Sequence, residues 1–243
     1  MHRRSFIEQC GLSGLALSFL PASLLQDADY SAQYLMGKSR IALFGKDVNL
    51  VKEAHDAFID MKKAASRSGI DLKIVSSYRS FDRQAAIFER KYLAYTEDEG
   101  MEPLEAVDKI IEYSTIPGTS RHHWGTDIDI TDGMAKSEGD VLVAEKFAAG
   151  GPFERLKKWM DEHAGEYGYH VVYTDNPKRR GFKYEPWHFS YAPLSIGMLS
   201  SFRKKNILLL LEKEDFLGAD HFTTGFIKSY IQNHILDINP ALL

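Results

Sequence analysis

Apolar residues recur every three or four positions in several stretches of the chain, which predicts amphipathic helices. The first helix runs to about Ala65, and Asp47 or Asn49 can cap its N-terminus. A second helix begins after Ser80, whose side chain can also cap it. The same spacing marks a third helix around Val107, a helix at residues 153–163 that Gly165 ends, and a Leu-rich helical tail from about residue 192.

Four short stretches have the composition of β-strands instead: residues 72–78, 124–131, 169–173 and 182–191. The last two strands are predicted to be joined by a turn at residues 175–177. Helices and strands mix without the regular alternation of a parallel βαβ protein. The predicted fold class is therefore α+β, with a small antiparallel sheet flanked by helices and a helical C-terminal extension.

The first 25 residues have the layout of a secretory signal. Arg3 and Arg4 precede a mildly apolar run at residues 12–20, and Pro21 with small residues follows it. Adjacent arginines before a phenylalanine resemble the twin-arginine export signal. We therefore expect an exported, periplasmic protein whose mature chain has no integral membrane segment.

Composition narrows the chemistry that the chain can perform. A net charge of -4 argues against a nucleic-acid partner, because phosphate binding requires a basic surface. The single cysteine, Cys10, lies inside the predicted signal, so no disulfide forms within the chain. A zinc site would therefore use histidine and carboxylate ligands.

Three segments concentrate such residues: Ser-Ser-Tyr-Arg-Ser at 76–80, Ser-Arg-His-His-Trp-Gly-Thr-Asp-Ile-Asp at 120–129, and Glu-Pro-Trp-His at 185–188. A catalytic zinc takes three protein ligands and leaves a position for water, and a nearby carboxylate moves the proton. Asp127 and Asp129 share one face of a strand, and two buried acids need a cation or hydrogen bonds to compensate them. Chemistry alone does not decide whether these residues bind a metal.

The pattern S-x-H-x-x-G-x-x-x-D, followed downstream by E-x-W-H, resembles the VanY-type D-alanyl-D-alanine carboxypeptidases. These belong with the LAS zinc peptidases, which share a fold with the Hedgehog signalling domain. The upstream Y-R-S and Gln84 match the same family. The resemblance covers residues 45–195 and rests on three separated motifs in the same order.

The resemblance implies a role for each matching residue. His122, Asp129 and His188 match the zinc ligands, with one Zn²⁺ per chain. Glu185 matches the general base, and Arg79 matches the arginine that contacts substrate and stabilises the tetrahedral intermediate.

Further positions of the motifs lie near the substrate in relatives. Ser77, Gln84 and Ser120 are therefore expected to bind substrate, and Trp187 to pack beneath the site and orient His188. One position departs from the pattern, because many relatives have a small apolar residue where this chain has Asp127. It could be a second-shell partner of a ligand histidine, a surface acid or a competing ligand, and we expect it to be second-shell.

The predicted organisation has a signal at residues 1–25, a lead-in at 26–46, a zinc peptidase domain at 47–195 and the C-terminal extension at 196–243. The resemblance implies a carboxypeptidase that removes the terminal D-alanine from peptidoglycan stem peptides. The alternatives are an L,D-carboxypeptidase, an endopeptidase or a dipeptidase with the same metal site, and a zinc hydrolase whose substrate is a peptide or amide that is not part of the cell wall. A non-catalytic wall-binding module is a further alternative.

Overall fold

The computed structural model describes residues 29–243, so the predicted signal at residues 1–25 lies outside the described residues. The α-helices of the described part are α1 (Ala32–Leu35), α2 (Lys52–Arg67), α3 (Phe81–Leu93), α4 (Pro103–Ile110), α5 (Glu154–His163), α6 (Ala192–Arg203), α7 (Ile207–Leu211) and α8 (Thr224–Tyr230). No helix formed by residues 29–243 is both long enough and apolar enough to cross a bilayer.

Four strands form one antiparallel sheet in the order β1-β2-β4-β3. They are β1 (Leu72–Ser76), β2 (Asp127–Asp132), β3 (Tyr169–Val171) and β4 (His188–Tyr191). The predicted α+β class with a small antiparallel sheet is therefore confirmed. The central pair, β2 and β4, carries Asp127, Asp129 and His188.

The helix caps agree with the prediction at α3 and differ at α2. The Ser80 hydroxyl accepts a hydrogen bond from the Arg83 amide at 3.2 Å, as an N-cap residue does. Helix α2 instead begins after Val51, which offers no capping side chain. The prediction that Asp47 or Asn49 caps it is wrong, because both residues adopt the left-handed backbone conformation of a turn before the helix.

All four predicted strands are too long, and β1 ends at Ser76 instead of residue 78. A short 3₁₀ helix occupies Arg121–Trp124, and Gly125 with φ 71° turns the chain into β2, which therefore starts at Asp127. Strands β3 and β4 are confined to residues 169–171 and 188–191, and residues 175–177 do not join them as a tight hairpin. Asn239 explains one boundary, because its backbone and side-chain amides donate to the carbonyls of Val172 and Val171 at 2.9 Å.

Apolar side chains form two cores. One lies against the sheet, where Ile128 and Ile130 of β2 pack with Phe58 of α2. The other joins Phe88 of α3 to the C-terminal helices. Helix α6 continues across the predicted domain boundary at residue 195, so the C-terminal extension packs into the same body. Asp127 and Asp129 alternate with the two isoleucines and face away from the first core.

Candidate metal centre

The pairing of β2 with β4 brings distant motifs together. Asp129 stands opposite His188 in the register of the two strands, and Asp127 stands opposite Ser190. His122 comes from the 3₁₀ helix that precedes β2. Potential ligand atoms of His122, Asp129 and His188 all lie within 4.8 Å of one another, and the three residues are buried. The sequence prediction of one cluster from two segments therefore matches the structure.

Hydrogen-bond partners indicate which ring nitrogen of each histidine can bind a metal. The carbonyl of Ser77 lies 2.7 Å from Nδ1 of His122, so this nitrogen carries the proton and Nε2 keeps its lone pair. Nε2 of His188 lies 3.0 Å from Oδ2 of Asp127. The Asp127 carboxylate accepts from Nε2–H, and Nδ1 faces Oε2 of Glu185 at 3.0 Å, so Nδ1 can serve as a ligand atom when it carries no proton.

The electrostatics of the cluster suit a cation. Burial and the nearby Arg79 guanidinium lower the pKa of His122, so its ring is neutral at pH 7. Burial alone would raise the pKa of Asp129, but the interactions with His122, His188 and Arg79 together outweigh it and lower the pKa to about 2. Oδ1 of Asp129 is buried and has no hydrogen-bond partner among the described residues. An ionised, unsatisfied oxygen beside two histidine nitrogens fits a divalent metal such as zinc.

Glu185 lies beside the cluster and is only 6% exposed. Its Oε2 is 3.0 Å from Nδ1 of His188, and its carbonyl accepts from the His188 amide across the Pro186-Trp187 turn. Burial raises the pKa of Glu185, against the opposing effect of the hydrogen bond to His188. A buried carboxylate of increased basicity next to a metal site is suited to accepting a proton.

Arg79 lies next to the cluster and is held by Gln84. Its Nη2 is 3.5 Å from Oδ2 of Asp129, and its Nη1 donates to Oε1 of Gln84 at 2.8 Å. Gln84 is fully buried, and its side-chain amide also donates to the Thr115 carbonyl. Gln84 therefore positions Arg79, and its predicted contact with substrate stays a prediction. The Nδ1 of His123 fixes the same segment by donating to the Arg79 carbonyl at 2.7 Å.

A cavity of about 430 Å³ opens onto the cluster. Arg79, Ser120 and Glu185 line it together with the three candidate ligands. Trp187 also lines it, and packs with a ring-centroid distance of 5.7 Å against Phe147. Ser77 contributes the carbonyl that orients His122, and its predicted contact with substrate stays a prediction.

The buried partner of Asp127 is a residue that sequence reasoning missed. Nε of Arg121 donates to Oδ2 of Asp127 at 3.0 Å, and Nη2 donates to Ser190 Oγ at 2.7 Å. Ser190 in turn donates to Oδ1 of Asp127 at 2.6 Å. Burial would raise the pKa of Asp127, but Arg121 and the hydrogen bond to His188 together outweigh it and hold the pKa well below its usual range. Asp127 thus lies against the ring of His188, and its expected role as a partner of a ligand histidine stays a prediction.

Three buried ligand candidates, a free carboxylate and an open cavity together make the site of a zinc metallopeptidase. Comparison with known proteins agrees. Residues 47–194 match the VanY family, described as D-alanyl-D-alanine carboxypeptidase. This match covers more than half of the chain, and the chain belongs to that family.

Individual relatives agree with the family assignment. YodJ of Bacillus subtilis (strain 168) is 34% identical over 142 residues, which are 58% of this chain and 45% of YodJ. The aligned region thus spans less than half of that relative. VanYB in complex with D-alanine-D-alanine has a TM-score of 0.52 and 20% identity over 73% of this chain and 92% of its own. A VanY mutant in complex with Zn(II) has a TM-score of 0.52 and 22% identity over 72% of this chain and 88% of its own.

Proposed function

We propose that this protein is a zinc-dependent D,D-carboxypeptidase that removes the terminal D-alanine from peptidoglycan stem peptides. The observation that carries the proposal is the buried cluster of His122, Asp129 and His188 with Glu185 beside it in an open cavity. Family membership and the D-alanine-D-alanine bound by VanYB support the substrate class.

The metal ligands in this proposal are Nε2 of His122, a carboxylate oxygen of Asp129 and Nδ1 of His188, for one Zn²⁺ per chain. The structure of a VanY mutant with Zn(II) supports the choice of metal. Zinc held there would supply Lewis acidity, which polarises a carbonyl group and lowers the pKa of water, so that water becomes a nucleophile near neutral pH.

The protein supplies the proton transfer and the charge stabilisation. Glu185 accepts a proton from the attacking water on its carboxylate and delivers it to the leaving amine. Arg79 carries a fixed positive charge that stabilises the negative charge developing on the carbonyl oxygen. Because Gln84 and Asp129 flank its guanidinium, Arg79 reaches that position without reorganising.

Mass spectrometry of synthetic stem peptides tests the proposal. Zinc-loaded protein is incubated with a pentapeptide and a tetrapeptide, with and without a chelator. We expect loss of one D-alanine from the pentapeptide, and we expect the chelator to abolish it. Cleavage of the tetrapeptide alone would instead identify an L,D-carboxypeptidase, and cleavage that persists without metal would refute the zinc mechanism.

Replacement of Glu185 separates an enzyme from a wall-binding module. Glu185→Gln should bind zinc, measured by metal analysis, and lose hydrolysis by at least roughly a hundredfold, since it can no longer accept a proton. Glu162→Gln is the matched control, because Glu162 is an exposed glutamate on α5 outside the cavity. Equal activity of Glu185→Gln and the control would exclude Glu185 as the base.

We further propose that the protein is exported to the periplasm by the twin-arginine route, which the sequence of residues 1–25 supports. Cell fractionation of the full chain tests this. Replacement of both Arg3 and Arg4 by lysine should leave the protein in the cytoplasm, whereas unchanged export would contradict the assignment.

A further inference from the structure

Lys91, near the C-terminal end of α3, brings a second cationic group to the cavity. It lines the cavity with Ser114 and Thr115, and its Nζ donates to Ser114 Oγ at 2.6 Å. Neither Lys91 nor Ser114 belongs to the motifs that identify the family. The proposed mechanism uses neither of them.

The positive charge of Lys91 has no anionic partner in the described part of the chain. Its hydrogen-bond partner is a neutral hydroxyl, and no carboxylate of residues 29–243 forms an ion pair with it. The other cationic residues of the cavity wall differ, because Arg121 is paired with Asp127 and Arg79 approaches Asp129. Loss of water around the amine lowers the pKa of Lys91, as is typical of a partly buried cation without a counter-ion.

Hydroxyl groups extend this wall. Oγ1 of Thr115 is buried and has no hydrogen-bond partner among the described residues. The Thr115 carbonyl accepts from Gln84, the same side chain that holds Arg79. One glutamine therefore fixes the wall that carries Lys91 relative to the arginine at the metal cluster. A cation with adjacent hydroxyl donors is a typical binding set for a carboxylate.

We infer that Lys91, Ser114 and Thr115 form a subsite for the free carboxylate at the C-terminus of the peptide substrate. This inference rests on the proposed carboxypeptidase function. Lys91 and Glu185 line the same cavity, so the subsite shares the space in which the proposed cleavage takes place. The terminal carboxylate distinguishes the last peptide bond from all earlier ones, so its binding by Lys91 confines the enzyme to that bond.

Substrate and enzyme changes made together test the subsite. A pentapeptide with a free C-terminal carboxylate is compared with the same peptide ending in a carboxamide, and kcat/KM is measured for the same scissile bond. Lys91→Met should lower kcat/KM for the free acid by roughly 10- to 100-fold, the value of a charge-assisted hydrogen bond, and leave the carboxamide unchanged. Lys91→Arg keeps the cation and should retain part of the preference.

Two controls accompany these variants. Lys109→Met removes a lysine whose partner is Glu112, outside the cavity, and should leave both rates unchanged. A third peptide keeps the free C-terminal carboxylate, and the free carboxylate of its second residue is converted to a carboxamide. This peptide tests separately whether Lys91 binds that internal carboxylate. Equal losses on free acid and carboxamide, or a loss that depends on the internal carboxylate, would overturn the assignment.

Failure of the proposed activity leaves the subsite testable. If the native protein hydrolyses neither peptide, calorimetry measures the binding of D-alanyl-D-alanine and of its carboxamide to zinc-loaded protein. Lys91→Met should weaken binding of the dipeptide acid by roughly 10- to 100-fold without affecting the carboxamide. Unchanged binding of the acid would refute the subsite.

Discussion

Replacement of Asp127 by alanine tests how the protein prepares its histidines for metal. Asp127 is fully buried and accepts four hydrogen bonds, from His188, Arg121, Ser190 and Thr126. The change removes the acceptor that fixes the His188 tautomer, and it also removes the counter-ion of a buried arginine. The two effects fall on different measurable quantities.

The expected loss in zinc affinity comes from His188. Without Asp127, its Nε2–H has no fixed acceptor, so the ring is free to rotate and to place its proton on Nδ1. Outer-shell partners of this kind contribute roughly 10- to 100-fold in metal affinity, or about 1.4–2.8 kcal/mol. Asp127→Asn should lose less, because the amide oxygen can still accept from the ring.

The expected loss in folding stability comes from Arg121, which is only 3% exposed. Removing one partner of a buried ion pair costs about 3–5 kcal/mol. Arg121 keeps its hydrogen bond to Ser190 and its contact with the Trp124 ring at 4.7 Å. We therefore expect a decrease in the free energy of unfolding near the lower limit, about 3 kcal/mol.

The double variant Arg121→Met with Asp127→Ala separates the two losses. Urea unfolding in the presence of a chelator should show it to be more stable than Asp127→Ala, because no buried charge is left unpaired. Competition with a chromogenic chelator should show zinc affinity still reduced, since His188 still lacks its acceptor. Native zinc affinity in the double variant would refute the proposed role of Asp127.

Three further predictions follow from buried contacts elsewhere. Tyr230→Phe removes a hydroxyl that bonds Thr119 at 2.8 Å, and should lower the free energy of unfolding by about 1–3 kcal/mol in a urea titration. Burial lowers the pKa of His234 to about 4, below the value of 6.5 expected in the unfolded chain, so folding stability is lost as the pH falls from 6.5 towards 4. His234→Gln should reduce the loss of stability between pH 7 and pH 5, measured by urea titration at each pH. Gln84→Leu should lower kcat by roughly tenfold with little change in KM, because it frees Arg79 from its position, and a change confined to KM would contradict this.

The metal cluster was predictable through the resemblance of three separated motifs to one family, because ligand chemistry narrows the choice of residues without deciding it. A zinc site in a mature chain without cysteine requires histidines and carboxylates, and the motifs supplied few of either. The sequence also indicated that two acids on one strand face need compensation, which anticipated a cation near Asp127. It did not identify Arg121, although that residue stands between Ser120 and His122 in the motif itself.

The roles of Ser77 and Gln84 were not predictable, because a motif does not reveal which atoms of a residue are used. Ser77 contributes its backbone carbonyl to the site, and Gln84 is buried behind Arg79. The predicted length of β3 was wrong for a related reason. Apolar composition continues beyond β3, but the carbonyls of Val171 and Val172 accept hydrogen bonds from Asn239, nearly 70 residues further along the chain.

The position of Lys91 in the cavity wall could not be predicted from the local sequence. On α3 it looks like an ordinary helical lysine near the C-terminus, where positive charge is favourable. Only the tertiary structure places its amine in the cavity wall beside Ser114, where it forms no ion pair with a carboxylate of residues 29–243. Exposed lysines elsewhere, such as Lys52 and Lys158, have ion-pair partners on their own helices. Because a partly buried cation without such a partner is costly, the position of Lys91 in the cavity wall is consistent with the carboxylate subsite inferred above.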